Sequence, residues 1–212
     1  MARIPAAQRR TDFIHAAVEV IAAHGIDGAT TRRIADEAQA NLAMLHYCYD
    51  SKEALFADVF VYVAGKYAEV IEGSDPHTTV EDAARAVLRG VMRFYLDSPS
   101  FAVAAIELIS WARRQHEDRG IAVYERATQA LRTVLQEAAG DAPLPEDTVE
   151  EIAYILATLA DGFAVSWIAY GNRELAEQQL EIVMTVLDAW LAARLAAGAV
   201  KAPARRRRTV RA

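Results

Sequence analysis

The residues with the most specific chemistry lie between Thr30 and Lys52, in the stretch TTRRIADEAQANLAMLHYCYDSK. Arg32, Arg33 and Lys52 bring positive charge to it, and Arg3, Arg9 and Arg10 lie upstream. Such a cluster is suited to gripping phosphate. The stretch reads as two short helices and the start of a third. Thr30, Asn41 and Ser51 stand at the three starts. Each has a side-chain oxygen that can accept a hydrogen bond from an unpaired amide of the first helical turn. Ile34, Ala35 and Ala38, then Leu42 and Leu45, recur at helical spacing. Two short helices joined by a tight turn suit the reading of DNA, where the first braces the second in the major groove. The same spacing fits a packed pair of core helices with no ligand, and spacing alone leaves both readings open.

Catalysis has no comparable constellation. The five histidines, His15, His24, His46, His77 and His116, are scattered. No HExxH, GxSxG, GxxxxGKS or GxxxxGKT is present. The chain is therefore expected not to be an enzyme and to carry no cofactor or metal. A single cysteine, Cys48, excludes an intrachain disulfide and a cysteine metal cluster, which agrees with a reducing cytoplasm. Residues 1–12 lack the long apolar run of a signal peptide, and no stretch of about 18 apolar residues is read as crossing a membrane.

The 212 residues are 53% hydrophobic and 25% charged, enough apolar material for a real core. A net charge of −6 argues at first against a nucleic-acid partner. Its distribution changes that. Residues 1–56 hold 6 Lys+Arg against 7 Asp+Glu, a net of −1. Residues 57–200 hold 11 against 22, a net of −11, and residues 201–212 hold 6 against 0, a net of +6. The acidity sits in the middle, away from the basic cluster. The last segment, KAPARRRRTVRA, reads as a disordered basic tail. Its Arg205–Arg211 could add nonspecific phosphate contacts or simply be solvated.

The elements that must position the cluster are all helical. Residues 8–24 carry Ile14, Ala17, Val18 and Ile21 as one stripe, stopped by Gly25. Residues 51–73 form the next long helix, ended by Gly73, Ser74 and Pro76, which read as a hinge. Further helices are expected at 79–97, 101–114, 121–139, 147–170 and 175–197, the last two separated by Gly171-Asn172. No strand alternation is present. The reading is an all-α chain with an N-terminal three-helix DNA-binding domain at 1–56, a helical ligand-binding and dimerisation domain at 57–200, and the tail. Helix 175–197 has Leu180, Val183, Leu187, Trp190 and Leu191 on one side, with Ile182, Met184 and Val186 widening the apolar arc. So wide an arc needs two partners, and a second copy of the last two helices supplies the outer one. A central helix in a monomeric bundle would explain the burial equally well.

A helix ending in Gly25, then TTRRIA, a short turn, L-H-Y, an aromatic and SKEALF, followed by about 140 helical residues, resembles the TetR family of bacterial transcription regulators. The motif-level resemblance covers residues about 8–60. The Leu-Ala-Asp-Gly-Phe run at 159–163 with Trp167 resembles the choline-responsive, BetI-like branch. The resemblance implies a cytoplasmic homodimer that binds a double-stranded DNA operator and is released by a small-molecule effector. Repression is the commoner family mode. Thr30, Thr31, Arg32, Arg33 and Lys52 would meet phosphate or, for the arginines, a base edge. Leu42, Ala43, Met44, His46 and Tyr47 fall where the family places groove-facing residues, with Leu45 turned inward beside Ile34 and Tyr49. Three positions depart from the family pattern. Gln39 stands where glycine is usual, which implies strain or a different turn. His46 and Cys48 stand where tyrosines are frequent. An apolar face of Leu42, Ala43 and Met44 would lean on methyl contacts and DNA shape.

For the effector, Phe94, Tyr95, Phe101, Trp111, Tyr124, Phe163, Trp167 and Tyr170 offer an aromatic wall. Glu107, His116 and Asp161 are its candidate polar groups. The ligand set expected is Phe94, Trp111, Glu107, Asp161, Phe163 and Trp167, although large apolar residues pack cores first. Were Glu107 or Asp161 to face an aromatic cage, a cation would fit it. A helical scaffold that binds only protein is the alternative function.

Overall fold

Helices form where the caps and glycines place them. The computed structural model describes residues 5–73, 79–114, 119–141 and 144–201. Arg3, the hinge residues Ser74 and Pro76, His77, His116 and tail residues 202–212 lie outside these. Among the described residues there are nine helices and no strand. They are α1 (Ala6–Gly28), α2 (Thr31–Glu37), α3 (Leu42–Cys48), α4 (Lys52–Glu72), α5 (Val80–Asp97), α6 (Pro99–Arg114), α7 (Arg119–Ala139), α8 (Glu146–Tyr170) and α9 (Arg173–Lys201).

The punctuation has a physical cause at each joint. α1 is interrupted at Gly25, whose φ of 67° and ψ of 169° suit glycine alone. The chain then makes one more turn to Gly28. Gly171, left-handed at φ 59°, ends α8, and its amide donates to the Trp167 carbonyl (2.9 Å). α9 starts at once because Asn172 Oδ1 accepts from the Leu175 amide (3.0 Å). That cap carries α9 back to Arg173, two residues before the expected start. α6 begins at Pro99 rather than Phe101, since proline suits a first helical position.

The turn between α2 and α3 is a Schellman motif. The Gln39 amide donates to the Asp36 carbonyl (3.0 Å), and the Ala40 amide to the Ala35 carbonyl (2.9 Å). Gln39 is held at φ 50°, the one described non-glycine residue with positive φ. Of the two outcomes expected for Gln39, strain or a different turn, the chain adopts the left-handed turn with its strain. A side chain there costs about 1–2 kcal/mol, partly offset by the smaller entropy of the unfolded chain. Gln39→Gly is therefore expected to stabilise the protein by about 0.5–1 kcal/mol and to raise Tm by about 1–4 °C in a calorimetric scan. An unchanged or lower Tm would show that Gln39 makes a compensating contact.

α1 packs on α2, α3 and α4 to form a small head. α4 carries the chain through the 56/57 boundary without interruption and lies along α7 in the larger body. α6 lies along α1, and α8 and α9 pack on each other and on α5. One continuous apolar core runs through both parts, from Phe13 and Leu45 to Leu187 and Leu191. Full burial of a side chain such as Leu45 or Leu55 contributes about 1.5–3 kcal/mol. Arg89 grips Glu181 with two bonds (2.7 and 3.4 Å) and Arg85 meets Asp188 (2.5 Å), tying α5 to α9. These pairs are partly exposed and contribute little energy each; they set register.

The expectation of no membrane-length apolar stretch needs a correction at α8. By length and composition α8 would pass for a membrane span. Its alanine-rich, apolar sequence has another use here. Ile152, Leu156, Ala160 and Phe163 are buried in the core, while α8 contacts α5, α7, α6 and α9.

Candidate nucleic-acid interface

Each helix start in the basic stretch is fastened by its own cap. Thr30 Oγ1 accepts from the Arg33 amide (3.3 Å), Asn41 Oδ1 from the Met44 amide (2.7 Å) and Ser51 Oγ from the Ala54 amide (3.1 Å). Helix α3 then presents two faces. Leu45 is fully buried in the same core as Ile34 and Tyr49, and Cys48 is buried beside it. Ala43, Met44, His46 and Tyr47 are exposed, Tyr47 by 73%. Leu42 is half-buried and packs against the core, so it offers the outer face less than the other four.

The basic groups divide between outward and inward roles. Arg32 is exposed at the start of α2. Arg33 is exposed too, and its Nη1 donates to the Gly28 carbonyl (2.9 Å). Thr31 is half-buried. Lys52 is half-buried: its Nζ donates to the Ile26 carbonyl (3.2 Å) and lies 4.9 Å from the Phe56 ring centroid. Lys52 thus fastens the end of α1 to the start of α4.

A clamp behind α3 was not read from the sequence. Arg10 Nη1 donates to the Cys48 carbonyl (3.0 Å) at the end of α3, where a cation also suits the helix dipole. Its Nη2 reaches Asp58 (3.3 Å), and its guanidinium lies 4.4 Å from the Tyr49 ring centroid. The Tyr49 hydroxyl donates to the same Asp58 (3.0 Å). Burial, with the Asp58 carboxylate beside it, pushes the Tyr49 phenol above its usual range, so it remains a donor. The clamp joins α1, α3 and α4. The head can thus hold a seven-residue helix that would be unstable alone.

A cavity of about 80 Å³ lies in the body between α4, α5, α6, α7 and α8. Alanines at 127, 153, 157 and 160 leave the space, and Val87, Leu88, Val91, Ile109 and Leu131 wall it. Tyr67, Tyr124, Thr128 and Asp161 supply its polar atoms. The Tyr124 hydroxyl donates to Asp161 Oδ2 (2.6 Å), joining α7 to α8, and the Tyr95 hydroxyl donates to Tyr67 Oη (2.9 Å) behind the wall. Burial pushes the Asp161 carboxyl above its usual range, while the Tyr124 bond pulls the other way.

Of the expected ligand set Phe94, Trp111, Glu107, Asp161, Phe163 and Trp167, only Asp161 lines this cavity. Phe94 packs edge-on against Phe101 (4.8 Å) at the α5–α6 corner. Trp111 meets Phe56 and Phe60 of α4 (5.8 and 6.4 Å). Glu107 is half-buried away from the cavity, and Phe163 is buried beside a groove between α8 and α9. Trp167 Nε1 donates to the Tyr95 carbonyl (3.2 Å). The large rings fill helix joints, and the space is left where small residues meet.

Residues 13–59 match the model of the bacterial regulatory proteins of the tetR family. Over 177 residues the chain is 27% identical to a nicotine-responsive HTH-type transcriptional repressor of Paenarthrobacter nicotinovorans, covering 79% of this chain and 87% of that protein. It is 28% identical over 136 residues to the HTH-type transcriptional repressor NicS of Pseudomonas putida, covering 62% and 58%. Its fold matches that of the fatty acid degradation regulator FadR of Bacillus halodurans, with a TM-score of 0.70, 18% identity and 88% and 96% coverage. It also matches a TetR transcription regulator of Haloarcula marismortui, with a TM-score of 0.67, 20% identity and 86% and 98% coverage. The helical fold is common to these solved regulators and this chain, and residues 13–59 carry the DNA-binding domain of the TetR family of bacterial transcriptional regulators.

Proposed function

We propose that the protein is a repressor that binds its operator as a homodimer and leaves it when a small molecule enters the body. The observation that carries this is the exposed face of α3. Ala43, Met44, His46 and Tyr47 stand out on a helix held from behind by Leu45 and the Arg10–Tyr49–Asp58 clamp. These residues, with Leu42 at the edge, would meet base edges and thymine methyls. Thr30, Thr31, Arg32, Arg33 and a released Lys52 would take the phosphates. The head at 1–56 would read DNA, and the body at 57–200 would carry the ligand and the dimer contact. Both curated relatives are named as repressors, one of them nicotine-responsive, which supports repression and release by a small organic effector. A regulator of this kind works in the cytoplasm, where its DNA is.

Dimerisation is supported by the outer faces of α8 and α9. Val165, Ile182 and Val186 are 55%, 64% and 50% exposed, and the groove between the helices runs past Gly162. A second copy laid on this face forms a four-helix interface. It would space two copies of α3 for successive major-groove faces, roughly 34–36 Å apart or a multiple of that. A ligand that favours another spacing by about 1–3 kcal/mol lowers operator affinity 5–150-fold. Selection of bound DNA from a random pool tests the function. An inverted repeat is expected, and a pool that stays random overturns the reading.

A further inference from the structure

We propose that the effector is an organic monocation, an amine or quaternary ammonium on an apolar body, held with its charge against the Asp161 carboxylate. The proposal rests on reading the cavity as the effector site. Asp161 is the one carboxylate on the cavity wall, and no lysine, arginine or histidine lines it among the described residues. The rest of the wall is aliphatic apart from Thr128 and the phenols Tyr67 and Tyr124. Asp161 Oδ2 accepts the Tyr124 hydroxyl (2.6 Å), and no cation pairs with the group among the described residues. Asp161 is half-buried, and a carboxylate partly withdrawn from water against such a wall gains from a counter-charge. A neutral ligand would leave the charge uncompensated, and an anion would be repelled. A cation satisfies it.

The titratable groups around Asp161 do not supply the missing charge. They are Tyr124 from α7, with Tyr67 from α4 and Tyr95 from α5 behind it. Burial keeps all three phenols above their usual range, so they stay neutral near physiological pH. The same burial raises the Asp161 carboxyl. Only the deprotonated form attracts a cation. Cation affinity therefore falls as the pH drops, starting above the range of an exposed aspartate.

The test is calorimetric, on the full chain, with two probes of matched shape. tert-Butylammonium stays charged across the pH range tested, tert-butanol is its neutral analogue, and both are small enough for a cavity of about 80 Å³. The cation is expected to bind the wild-type protein at least about 10-fold more tightly than the neutral probe and to weaken between pH 7 and pH 4. Asp161→Asn keeps the shape of the side chain. It is expected to abolish the preference and to leave the neutral probe within about twofold of its wild-type affinity. Equal binding of the two probes, or a preference that survives Asp161→Asn, overturns the proposal and leaves the cavity as a site for neutral ligands. Failure of both probes to bind at millimolar concentration overturns it together with the reading of the cavity on which it rests.

Discussion

Ile182→Glu is expected to turn the protein into a monomer and to weaken operator binding by at least about 100-fold. Ile182 is 64% exposed on the outer stripe of α9, which continues through Val186. The inner stripe of Leu180, Met184, Leu187 and Leu191 is buried and holds α9 to its own chain. A glutamate at 182 therefore leaves the monomer fold unchanged. In a two-fold interface each substitution appears twice, so two carboxylates would be desolvated against apolar surface. Losing the dimer separates the two heads. The second half-site contact is then no longer intramolecular, and avidity of about 10²–10⁴ is forfeited. Light scattering and a gel shift read the two effects. A variant that remains dimeric at micromolar concentration and binds DNA as before would place the dimer contact elsewhere.

Tyr47→Ala should cost about 10–100-fold in operator affinity while shifting Tm by no more than about 1 °C. Tyr47 is 73% exposed and faces away from the core that holds Leu45. Its removal deletes surface without opening a cavity. The loss matches one good contact to a base or phosphate, about 1–3 kcal/mol. Tyr47→Phe separates the two modes available to the ring. It should bind as the wild type does if the ring meets a thymine methyl, and as the alanine variant does if the hydroxyl meets phosphate. Fluorescence anisotropy with a labelled operator measures all three proteins, and an affinity within twofold for Tyr47→Ala would remove α3 from the reading surface.

The head was legible in the sequence because its signals are local. Thr30, Asn41 and Ser51 each accept a hydrogen bond from an amide three residues ahead, a distance any sequence window spans. Gly25 and Gly171 mark stops by a conformation that glycine adopts freely. Gln39 showed the same logic from the other side, as the wrong residue in a turn that formed anyway. The clamp behind α3 was not legible, because Arg10 and Asp58 are 48 residues apart and neither belongs to a stripe or cap. The cavity was hidden for a related reason. Five helices contribute to it, and it exists where Ala127, Ala153, Ala157 and Ala160 fail to fill space. Reading the aromatics first led instead to joints, such as Trp111 against Phe56. Of the candidate polar groups Glu107, His116 and Asp161, Asp161 lies on the cavity wall.

α3 is proposed to read DNA, and to do so in pairs. The most direct measurement is the sequence recovered when the full-length protein selects from a random duplex pool at physiological salt. An inverted repeat is expected, with half-site centres about 34–36 Å apart or a multiple of that along the helix axis. An unenriched pool would contradict the claim outright, and enrichment of single, unpaired half-sites would contradict the dimer.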